Sequence, residues 1–78
     1  MPADPLAKLS TLAATAWDAV DGALSAYNTA KFIAEVAVVG PDKAAAWVAA
    51  REAKRRYLSN RVAAIAASAA YMEATHAR

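Results

Sequence analysis

The stretch Val39-Gly40-Pro41-Asp42 divides the chain into two long runs, both rich in alanine, the best helix former. Gly40 reads as the residue that tolerates positive φ at the end of one helix. Pro41 prevents that helix from continuing, and Asp42 places a negative charge on the first turn of the next. The chain therefore reads as one domain over residues 1–78, with helix 1 over about 5–39, a turn at 40–41 and helix 2 over about 42–75. Val36, Val38 and Val39 would also suit a strand, but a lone strand has nothing to pair with, so helix is expected through them.

Upstream of the turn, Asp4-Pro5 supplies a helix start: a carboxylate that can accept from the free amide hydrogens, then proline where its missing N–H does no harm. From there Leu6, Leu9, Ala13, Ala16, Trp17, Val20, Leu24 and Tyr27 fall on one side, and Lys8, Thr11, Thr15, Asp18, Ser25 and Thr29 on the other. Within this stripe the spacing from Trp17 through Val20 and Leu24 to Tyr27 is that of a coiled-coil seam. Downstream, the stripe expected of helix 2 is Ala44, Trp47, Arg51, Leu58, Val62, Ile65, Ala69 and Met72.

A tight reversal at Gly40-Pro41 sets residue pairs whose numbers sum to about 81 at equal depth in an antiparallel hairpin. Trp17 is then expected beside Ile65, Leu9 beside Met72, and Gly22 beside Ser59-Asn60, where both helices would break if the chain formed four shorter helices instead. The fold expected is all-α, a long antiparallel helical hairpin. Such a hairpin is two helices thick, so each helix covers one stripe and leaves its remaining apolar positions in water. Phe32, Val36 and Val39 on helix 1, and Tyr57, Ala63, Ala67, Ala70 and Tyr71 on helix 2, are expected away from the seam. Covering them predicts a homodimer that closes a four-helix bundle. The residues expected to bind a partner are Phe32, Val36, Val39, Trp47, Tyr57 and Tyr71.

Composition narrows the function classes. Among 78 residues there is no cysteine and a single histidine, His76, so neither disulfides nor a Cys/His metal site can hold the fold together. Although 59% of residues count as hydrophobic, mean hydropathy is only +0.19, because alanine dominates that fraction. No uncharged apolar run reaches the ~20 residues of a membrane span. The start Met1-Pro2-Ala3-Asp4-Pro5 lacks the pattern of a secretory signal. A soluble, cytoplasmic protein is expected. No nucleophile–base pair, phosphate loop or ligand set is visible, so neither an enzyme nor a cofactor is expected.

The distinctive polar stretch runs from Lys43 to Arg61, where Lys43, Arg51, Lys54, Arg55, Arg56 and Arg61 face only Asp42 and Glu52 in sequence; the net charge is +2. Acidic residues gather on helix 1, so Asp21 is expected near Arg61 and Glu35 near Lys43, and part of the charge is expected to be internal to the hairpin or a solvated rim. Lys31 and Arg51 lie in apolar stripes at matching depth, which predicts that one turns outward or meets Glu35 or Glu52. The expected function is that of a non-catalytic, self-associating helical protein that binds another protein as regulator, assembly factor or small chaperone. The alternative is a nucleic-acid-binding dimer using Lys43, Lys54, Arg55 and Arg61. In architecture the chain is similar to small antiparallel dimers that form four-helix bundles, a likeness that implies a fold and no function.

Overall fold

The computed structural model describes residues 4–37 and 40–77. They form two helices, α1 over Pro5–Val36 and α2 over Pro41–His76, packed as an antiparallel hairpin. The Cα positions extend over 58 × 21 × 13 Å, a rod two helices wide. Both helices are continuous through Gly22 and Ser59-Asn60, so the chain is a hairpin and not four shorter helices.

α1 starts as its sequence dictates. Asp4 is extended, its Oδ1 accepts from the Leu6 amide at 3.0 Å, and Pro5 occupies the first turn. The other end differs from expectation: α1 stops at Val36, and Ala37 is already extended at φ −64, ψ 137. The expected continuation through Val38 and Val39 lies outside the described residues. Gly40 has the positive φ anticipated, 138 with ψ −169, but it serves the other helix. Its carbonyl accepts from the amides of Lys43 and Ala44 at 3.1 and 3.3 Å, which makes it the N-cap of α2. With no side chain to cap with, α2 relies on that carbonyl and on Asp42 in its first turn.

The seam between the helices is made of small residues. Along α1 the residues that lose exposure are Leu6, Leu9, Ala13, Ala16, Val20, Ala23, Tyr27, Ala30 and Ala34, with Leu24 at the edge. Along α2 they are Lys43, Ala46, Ala50, Ala53, Tyr57, Asn60, Ala64, Ala67, Tyr71 and Ala74, with Ser68 and Thr75 at the edge. Both rows alternate steps of three and four without a break, the 3.5-residue repeat of a left-handed coiled coil. Among the described residues Val20, Ala34, Ala50 and Ala64 are buried.

Two expectations are corrected here. Every residue of the stripe assigned to α2, from Ala44 through Trp47, Arg51, Leu58, Val62, Ile65 and Ala69 to Met72, is exposed. The true seam runs one residue earlier at most of these positions (43, 46, 50, 57, 64, 71), a rotation of about 100°. Alanine at most seam positions lets the helices approach closely, and most of the larger side chains of α2 are left outside. Tyr57 and Tyr71 accordingly sit half-buried in the seam rows, not away from them.

Side-chain contacts locate the register. Gly22 and Asn60 line one groove, as the pairing of residues whose numbers sum to about 81 expects. The Trp17 indole Nε1–H donates to Ser68 Oγ at 2.7 Å. A helical side chain lies over the turn N-terminal to its own Cα, so the indole reaches Ser68, about one turn beyond the Ile65 expected beside Trp17.

The two glycines give opposite expectations. Gly40→Ala forces a φ that L side chains rarely adopt and is expected to lower the unfolding free energy by about 1–3 kcal/mol. Gly22 is helical with open space where a Cβ would stand, so Gly22→Ala is expected to raise it by about 0.5–1 kcal/mol. Urea titrations followed by circular dichroism measure both.

Candidate partner-binding surface

Because alanine occupies the seam, the large apolar side chains are left outside. On α2 they form one line: Leu58, Val62, Ile65, Ala69 and Met72 recur at steps of four and three, and all are exposed, Val62 at 69%. This is a second seam with nothing packed on it within the hairpin. Toward the turn the same line continues through Arg55, Arg51, Val48 and Ala44, so its apolar half ends where its cationic half begins. Leu58, Val62, Ile65 and Met72 are already about half covered, so covering the rest contributes about half of the ~1.5–3 kcal/mol that complete burial gives each, a driving force toward association that further contacts add to.

Trp17 joins that surface from α1. Its ring remains 39% exposed while its N–H is fixed by Ser68, on the row next to Ile65 and Met72. This side-chain hydrogen bond joins the two helices, and sequence reasoning missed Ser68 because a serine among alanines gives no signal until its partner is known. A second apolar group stands at the turn end of α1, where Phe32, Ile33 and Val36 lie off the seam row and are 63%, 52% and 60% exposed. Trp47 borders a shallow groove of about 210 Å³ with Tyr27, Ala50, Arg51 and Lys54.

Of the residues expected to bind a partner, Phe32, Val36 and Trp47 are thus on the outside. Tyr57 and Tyr71 belong to the intramolecular seam, and Val39 lies outside the described residues.

The basic residues do not share one face. Lys54 and Arg61 stand one heptad apart on the same row, and Arg55 is exposed on another. Lys43 is half-buried at the start of the α2 seam. No ion pair joins the two helices among the described residues, so the expected neighbours Asp21 with Arg61 and Glu35 with Lys43 are not bridged. Lys31 instead meets Glu35 one turn along α1 at 3.9 Å, one of the outcomes expected for it. Both partners are about half exposed, so the pair adds little stability. On the opposite flank Ala19, Gly22, Ala23, Ala26, Ala53, Arg56 and Asn60 line a groove of about 280 Å³, which puts Gly22 and Asn60 side by side. No group of three or more His, Asp or Glu residues is placed to hold a metal ion among the described residues. None of the described helices is long and apolar enough to cross a membrane.

Compared with known proteins, the chain matches no family model, no curated protein sequence and no solved structure.

Ser68→Ala removes the acceptor of the Trp17 indole. In a Trp47→Phe background, where Trp17 alone reports, the substitution is expected to shift the tryptophan emission and cost about 0.5–1 kcal/mol in urea unfolding. Unchanged emission would contradict the register.

Proposed function

We propose that this chain is a non-catalytic helical protein that works by binding: it associates with itself and holds another protein, as a regulator, assembly factor or small chaperone. The observation that supports this reading is the inversion of the usual arrangement, with alanine between the helices and Phe32, Ile33, Val36, Leu58, Val62, Ile65 and Met72 in water. Exposed apolar side chains at such density mark surfaces that are covered in the working state. Its place of work in this reading is the cytoplasm, where a chain without cysteine keeps the same covalent structure under reducing conditions.

The group at Phe32, Ile33 and Val36 is the proposed site for the second protein. It is separated along α1 from Trp17 and lies off the seam row. A competing reading as a nucleic-acid-binding dimer rests on Lys54 and Arg61, which share a row.

The test is capture from native cytosol by the tagged chain, with Phe32→Asp as the matched control. The expected result is a discrete protein retained by the parent and lost with Phe32→Asp, while circular dichroism shows equal helix content in both. Titration with a random-sequence DNA duplex gives the other outcome: affinity that falls about 10³-fold or more between 50 and 200 mM salt would replace the protein-binding reading with the nucleic-acid one.

A further inference from the structure

We infer that the line Leu58, Val62, Ile65, Ala69 and Met72 on α2 is the seat of a second copy of this chain, bound antiparallel about a two-fold axis at Ile65. The inference rests on the self-association proposed above and names the surface, the orientation and the residues that carry it.

Area gives the first argument. A compact monomer of 8.1 kDa has an accessible surface of about 4,500 Å². This chain exposes 5809 Å², an excess of about 1,300 Å². A stable interface of standard size takes about 800 Å² from each partner. The hairpin thus carries surplus surface of the amount that pairing with one similar hairpin would cover.

The spacing on α2 selects the partner. Contacts across a two-fold axis are reciprocal, so the line must fit its own reverse. It does: centred on Ile65, Leu58 meets the second copy's Met72, Val62 meets the second copy's Ala69, and Ile65 meets itself. The larger Val62 is matched by the smaller Ala69, as interdigitation of side chains requires.

Charge selects the orientation. In the antiparallel arrangement the flanking rows set Arg61 opposite the second copy's Ser68, Lys54 opposite its Thr75 and Glu73 opposite its Ser59, so no like charges face each other. The cationic end of the line, Arg51 and Arg55, passes beyond the apolar overlap. A parallel dimer would put Arg51 and Arg55 each against its own copy, which is unfavourable. Antiparallel pairing also carries the second copy's Arg61 to the level of Ser68, the residue that fixes the Trp17 indole. A guanidinium over that half-exposed ring makes a cation–π contact, and α1 thereby contributes to the interface as well.

Sedimentation equilibrium of the full chain at micromolar to millimolar concentration tests this, with Ile65→Asp and Val48→Asp compared. Both residues are about half exposed in the hairpin, at 51% each, so neither change removes core packing. The expected result is a dimer for the parent and for Val48→Asp, and a dissociation constant raised about 100-fold or more for Ile65→Asp. Orientation is read by oxidation of single-cysteine variants in this cysteine-free chain: Ile65→Cys is expected to cross-link to itself and Leu58→Cys is not. A dimer that survives Ile65→Asp but is lost with Phe32→Asp overturns the assignment while leaving self-association in place. A parent chain that stays monomeric throughout the range overturns both. Efficient cross-linking by Leu58→Cys overturns the antiparallel orientation.

Discussion

The closeness with which two alanine-lined helices can meet governs the rest of this molecule. A seam built from Ala13, Ala16, Ala23, Ala30 and Ala34 against Ala46, Ala50, Ala53, Ala64, Ala67 and Ala74 brings the backbones together and leaves little volume between them. Among these alanines the seam rows carry a few larger side chains, Leu6, Leu9, Val20, Tyr27, Tyr57 and Tyr71. The remainder turn outward. Seam and outer surface are therefore one choice, because each residue kept out of the narrow interface is presented on the surface.

That choice limits what the hairpin gains from its own packing. Alanine brings high helix propensity and loses no side-chain entropy on burial, but it removes little apolar area from water. No large side chain is fully buried among the described residues. Local terms consequently carry more weight than in a protein with a deep core: the Asp4 cap and Pro5 at the start of α1, and the Gly40 carbonyl and Asp42 at the start of α2. Association through the outer face would add the burial that the seam does not supply, which joins the stability of this chain to its proposed mode of action.

The connection between the helices decides which outer residues lie side by side. With α1 ending at Val36 and α2 capped by Gly40, the Trp17 indole reaches Ser68. This contact puts the exposed indole alongside the Ile65–Met72 part of α2, whereas Phe32, Ile33 and Val36 stand near the turn end of α1. Two apolar regions with different surroundings result.

Sequence alone determined the helices, the helix start at Asp4-Pro5, the reversal at Gly40-Pro41 and the antiparallel hairpin, because these depend on local propensity, capping and the lack of any second strand. It also determined the membership of the α2 stripe, whose 4-3-4-3 spacing is a property of the chain. The direction in which that stripe points was decided only by tertiary structure. Leu58, Ile65 and Met72 have a hydrophobic pattern fit for a seam, and so do Tyr57, Ala64 and Tyr71 one residue earlier. Pattern ranks the larger set higher by area buried, whereas packing favours the set that lets two helices approach. The three-and-four alternation of rows rich in alanine was present in the sequence as a sign of this outcome, but what it meant depended on how near the facing helix would come. The Trp17–Ser68 bond belongs with the orientation: it joins residues 51 apart, and only the register brings them together.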